Sequence, residues 1–191
     1  MSTTPPNDTL QKAIASHQQG RLEEARQLYE RVISDDPNNA HAAYLLSNVH
    51  ASQSQWDAAE RRIKDAIACE PDNALFYDTL GKIETSLNRI AAAEEAFRKA
   101  IQLQPGFAVA HNNLGRLLFG SGEHNQAAHQ FGRASELQPE FAEPWVGLGD
   151  VRRAQTRLDE ALEAYGKASE IQDDAWVQVR RGITLQMLAR L

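Results

Sequence analysis

The sequence holds a single cysteine, Cys69, so no internal disulfide can form and no zinc site can be built on paired thiolates. Cys69 itself reads as a small core hydrophobe. No run of about eighteen apolar residues occurs, so no membrane span is expected. Met1 to Asp8 lacks the basic start and apolar centre of a secretion signal, and a cytoplasmic location is expected. Cationic excess is missing too. Lys and Arg number 20 against 26 Asp and Glu, for a net charge of -6, and a nucleic-acid backbone calls for the opposite balance. The glycines form no phosphate-binding loop, and Gly120-Ser121-Gly122 reads as the close of a hairpin. His124 and His129 are five residues apart, which takes them off the shared helical face of an i, i+4 zinc pair. No metal or other cofactor is expected. Long loops are also absent, and catalytic groups usually sit on loops held by a rigid scaffold. The expectation is a protein that is not an enzyme.

What the chain does have is a period. Pro37, Pro71, Pro105 and Pro139 recur every 34 residues without insertion or deletion. A fixed period of this length marks a stack of identical supersecondary units. Counting from the prolines gives units 6–39, 40–73, 74–107, 108–141 and 142–175, with Asp173 where the fifth proline would fall. Unit position 20 reads Ala25, Ala59, Ala93, Ala127, Ala161, and position 24 reads Tyr29, Ile63, Phe97, Phe131, Tyr165. Position 27 is Val32, then Ala66, Ala100, Ala134 and Ala168. Position 8 is Ala13, Ser47, Gly81, Gly115, Gly149.

Positions 4, 7, 8 and 11 share one helical face, and so do 20, 24 and 27. Small residues at 8 and 20 allow close backbone approach, and the bulky residue at 24 fills the wedge beside them. Between the two stretches stand Gly20, Ser54, Asn88, Gly122 and Thr156, residues suited to a helix end. The proline blocks continuation of the second helix. Each unit is therefore a helix–turn–helix that must stack on its neighbours to bury its apolar face.

These columns resemble the tetratricopeptide repeat family, from residue 6 to residue 175. The resemblance implies an all-α fold, a right-handed superhelical solenoid of stacked hairpins. It divides the chain into a flexible N-terminus (1–7), five repeats (8–175) and a tail, 176–191. The tail is either a capping helix or the start of a sixth repeat. Trp176, Val179, Ile183 and Met187 make one apolar stripe there, with Leu188 and Leu191 beside it. Gly182 reaches the small position 8 only if one residue has been dropped.

The family's concave surface is lined from positions 2, 5, 9 and 12 of each first helix. Carried over, this makes a candidate peptide-binding groove of Tyr44, Asn48, Asp78, Lys82, Asn112, Asn113, Arg116, Phe119, Asp150 and Arg153. Tyr44 and Phe119 are expected to be exposed. Lys82 and Arg116 are expected to form a basic spot for a carboxylate or phosphate, with Asp78 one turn before Lys82. Charge reversal at those two positions is expected to leave the helices intact. The family's clamp for chaperone C-terminal carboxylates has only Asn48 in place, with Tyr44, Thr79, Val109 and Asn113 at its other positions. The expected function is a scaffold or adaptor that binds a protein or peptide, with self-association through the C-terminal helix as a further possibility. The alternative is the amino-terminal recognition region of a larger glycosyl- or sulfotransferase, since Asn113 matches the asparagine that such arrays carry at position 6.

Overall fold

A computed structural model describes residues 6–172 and 174–190. Residues 1–5 of the expected flexible N-terminus, Asp173 and Leu191 lie outside the described residues, whereas Pro6 and Asn7 belong to the first helix. The described residues form eleven α-helices and no strand. They fall into two compact units, Met1–Leu103 and Gln104–Leu191.

The first unit contains α1 (Pro6–Gln18), α2 (Leu22–Asp35), α3 (Ala40–Ser52), α4 (Trp56–Cys69), α5 (Ala74–Ser86) and α6 (Ile90–Leu103). Its helices pair as antiparallel hairpins through very short turns. Gly20, Ser54 and Asn88 hold φ of 74°, 58° and 57°, the left-handed conformation that ends a helix. The next residue then donates back to the last turn, as in Gln55 N–H to the His50 carbonyl at 2.9 Å. Asn39 and Asn73 cap α3 and α5 by accepting from the Ala42 and Leu75 amides, which satisfies orphan helix donors. Ala13, Ala25, Tyr29, Leu46 and Val49 form one buried cluster, and Ala59, Ile63, Ala66, Phe76 and Ile83 belong to the next. Cys69 is half-buried against that second cluster. Arg89, just before α6, reaches Glu60 of α4 at 2.8 Å and the buried Glu84 of α5 at 3.3 Å, tying consecutive hairpins together.

The second unit contains α7 (Ala108–Gly120), α8 (His124–Leu137), α9 (Ala142–Ala154), α10 (Leu158–Ile171) and α11 (Ala175–Leu188). Gly122 and Thr156 again take positive φ, 80° and 60°. Side chains at unit position 4 reach back to the proline turn. His111 Nε2 lies 3.1 Å from the Pro105 carbonyl oxygen, and Trp145 Nε1 donates to that of Pro139 at 3.3 Å. The core rests on glycine–ring contacts. A Cβ at Gly115 would lie 2.8 Å from Phe131, and one at Gly149 would lie 2.4 Å from Tyr165. Gly81 stands in the same relation to Phe97 in the first unit. These separations are far inside van der Waals contact, so glycine is what admits the ring. Ala161, Tyr165, Ala168 and Val177 continue this core up to α11.

Candidate functional site

In the first unit, the four candidate groove residues are more engaged than the sequence suggested. Tyr44 is half-buried rather than exposed, because its ring stacks on Phe76 with centroids 5.3 Å apart. Asn48 is also half-buried. Asp78 is fully buried. Lys82 Nζ sits 2.7 Å from Asp78 Oδ2, so the Lys82 ammonium compensates a buried carboxylate. A recess of about 1120 Å³ also opens on this unit, lined chiefly from α5 and α6 and including Tyr77, Leu80, Glu94 and Arg98. It contains none of the expected groove residues.

In the second unit, Asn112 is buried, and its Oδ1 finds no hydrogen-bond donor among the described residues. Asn113 is half-buried. Phe119 is likewise half-buried, its ring tilted against His124 at 5.4 Å between centroids. Arg116 is exposed. It makes no ion pair or side-chain hydrogen bond among the described residues.

Asp150 and Arg153 belong to a network on α9 that extends into α10 and α11. Tyr165 Oη donates to Asp150 Oδ1 at 2.7 Å, and Arg153 Nε donates to Tyr165 Oη at 3.3 Å. Arg180 Nε of α11 lies 3.1 and 3.2 Å from the two Asp150 oxygens. Burial, and then the Asp150 carboxylate, push the Tyr165 phenol well above its ordinary pKa. It therefore stays a donor at all physiological pH, and Asp150 is fully employed within the protein.

Around this network lies a recess of about 400 Å³. Its walls come from α7, α9 and α11: Arg116 and Phe119, then Val146, Gly147 and Asp150, then Trp176, Val177 and Arg180. Phe131 closes the floor, with its ring 2.5 Å from where a Gly147 Cβ would stand. Three of the expected groove residues, Arg116, Phe119 and Asp150, meet here. Tyr44, Asn48, Asp78 and Lys82 belong to the other unit, and within the second unit Arg116 is joined at the recess by Arg180. Trp176, Val177 and Arg180, which line the recess, were not among the expected groove residues. Their signal is the dropped residue: α11 starts at Ala175, 33 residues after Ala142, which opens α9. With Ala175 as the first position, Gly182 falls at position 8 and Arg180 at position 6.

Among the described residues no three His, Cys, Asp or Glu side chains gather as a metal ion would require, and no helix is long and apolar enough to cross a membrane. Three family models, each described as tetratricopeptide repeat, match residues 16–83, 74–107 and 112–175. The chain belongs to the tetratricopeptide repeat family. None of the curated proteins matches it by sequence. Among solved structures, it is similar to PilW, described as a widely conserved type IV pilus biogenesis factor, with a TM-score of 0.87 at 20% identity over 98% of this chain and 88% of that one. It is also similar to PilF of Pseudomonas aeruginosa, with a TM-score of 0.82 at 17% identity over 97% and 90% of the two chains. A third is YrrB, described as a tetratricopeptide protein with an unusual peptide-binding site, with a TM-score of 0.70 at 23% identity over 90% and 88%. At these identities the likeness establishes the fold.

Proposed function

We propose that this tetratricopeptide chain is a protein-interaction scaffold, and that the recess bounded by α7, α9 and α11 receives a segment of its partner. The observation that carries this reading is the pairing of an apolar cleft with a guanidinium, that of Arg116, that has no ion-pair or side-chain hydrogen-bond partner among the described residues. Phe119, Val146 and Trp176 offer apolar surface to one or two side chains. Arg116 stands at the rim and presents a planar, permanently charged fork to a carboxylate or phosphate. Three carboxylates line the recess: Asp150 is satisfied by Arg153, Arg180 and Tyr165, and Asp174 accepts from the Trp176 amide, which leaves the exposed Glu143 as the acid that an incoming anion must skirt. The recess falls within the size range of ligand-binding clefts, and a stack of helices with its side chains fixed by packing is well preorganised to bind. The segment it fits carries an apolar side chain close to an acidic group.

Proteins retained by the wild-type chain and by an Arg116→Glu variant, compared quantitatively by mass spectrometry, identify the partner as a species lost from the variant. Titration calorimetry with that partner should then show binding weakened at least tenfold by Arg116→Glu. Added salt should weaken the wild-type complex too, since rim ion pairs are screened. Full affinity in the variant would place the site elsewhere on the chain.

A further inference from the structure

Among the described residues, the recess bounded by α7, α9 and α11 carries two opposite charges that the protein does not pair. Arg133, Arg152, Arg153, Arg157, Lys167 and Arg180, cations of the same unit, each have a carboxylate oxygen within 3.4 Å. Arg116 has none, although Glu143 lines the same recess and is exposed as Arg116 is. Neither of the two makes an ion pair or a side-chain hydrogen bond among the described residues. Their positions explain why they miss each other. Glu143 is the second residue of α9 and Arg116 the ninth of α7, and these first helices of consecutive hairpins run the same way. Seven residues of helical rise separate them by roughly 10 Å along the axes, and neighbouring helices lie about 8–10 Å apart sideways. The two backbone positions are thus on the order of 13 Å apart.

Between the charges lies apolar surface. Val146 stands one turn on from Glu143, and Phe119 of α7 and the 71% exposed Trp176 of α11 add to it. Asp174 caps α11 and adds negative charge at the end of the recess where that helix begins. The recess is acidic at one end, apolar in the middle and cationic at the other. An extended chain matches this order. Its alternate side chains point the same way, and at about 3.3 Å per residue its positions i and i+4 lie about 13 Å apart, with i+2 between them. We infer that the recess selects an extended segment with a basic residue, an apolar residue two positions away and an acidic residue two further. The base meets Glu143, the apolar side chain packs on Val146, and the acid meets Arg116. This rests on the proposal that the recess holds the partner, and adds which segment it accepts. A free amino acid, with ammonium and carboxylate on one carbon, is too short to reach both ends. A segment bearing acids alone leaves one of them beside Glu143.

The probes are synthetic peptides blocked at both termini, with the cores Lys-Ser-Leu-Ser-Glu, Glu-Ser-Leu-Ser-Glu and Lys-Ser-Leu-Ser-Lys between Gly-Ser flanks. Each is titrated into the isotope-labelled chain and followed by amide chemical shifts. The wild type should bind the mixed-charge peptide at least fivefold more tightly than either like-charged one, with shifts concentrated in α7, α9 and the start of α11. Preference should then follow the protein's charge. Glu143→Lys should favour the doubly acidic peptide, and Arg116→Glu the doubly basic one. Glu143→Gln, which removes the acid without reversing it, should abolish the advantage of the mixed-charge peptide over the doubly acidic one. Both positions are exposed, so the circular dichroism of every variant should match the wild type. Equal binding of the mixed and doubly acidic peptides by the wild type, or an unchanged preference in both Glu143 variants, would overturn this selection and leave the recess as the binding site. Shifts confined to other helices, or none at all, would overturn both readings.

Discussion

Two residues that look alike in sequence, Lys82 and Arg116, do different work. Both are cations at the same unit position, and both are exposed on the first helix of a hairpin. Lys82 lies against the buried Asp78, and withdrawing a charged partner from a buried group costs on the order of 1–3 kcal/mol or more. Lys82→Ala should therefore lower the denaturation midpoint clearly. Arg116→Ala should stay within about 0.5 kcal/mol of the wild type, as surface substitutions usually do. Equal urea melts for the two variants would contradict this assignment. A second contrast concerns the glycines. Gly115→Leu forces a side chain into Phe131, and overpacking of a tight core costs about 1–3 kcal/mol. The same substitution at Gly166, where a Cβ meets nothing within 4 Å, should be tolerated, and thermal melts of the two variants distinguish them. Sequence spacing was enough to assign Gly115 to a close contact, because its column is small in every unit. It could not show that Asp78 is buried, because no periodicity reports how deeply one carboxylate sits.

The hairpin turn is the element in which local chemistry and fold agree least. Among the described residues the chain passes five times through a left-handed residue, twice at glycine and otherwise at Ser54, Asn88 and Thr156. A non-glycine residue pays about 1–2 kcal/mol for that conformation, and the β-branched Thr156 is the least suited of the three. Thr156→Gly should raise stability by several tenths of a kcal/mol to about 1 kcal/mol, net of the extra freedom glycine has when unfolded. Differential scanning calorimetry would show a higher Tm, and a lower one would mean that the Thr156 side chain contributes more than its backbone costs. These turns were legible from the sequence as helix ends. The last element was not. Its apolar stripe was plain, and so was the place of Gly182 at position 8 if one residue is dropped, but it is the burial of Val177 and Thr184 that establishes this register.

Over the whole molecule, the period of 34 residues carried the fold, because each column has one physical role repeated in every hairpin. The candidate site was only partly legible. Family position led to Arg116, Phe119 and Asp150, but equally to Tyr44, Asp78 and Asn112, which pack into the protein rather than stand open. Repetition identifies a helix face, whereas a recess arises where individual side chains differ from their column, as at Gly147 and Trp176. The central claim is that the cleft built by α7, α9 and α11 is where a partner is held. Amide hydrogen exchange, measured on the chain alone and saturated with the partner that Arg116→Glu fails to retain, tests it most directly. Added protection should concentrate in α7, α9 and the first turns of α11, with α1 to α4 unchanged. Protection confined to α1 through α4, with none in α7 and α9, would contradict it.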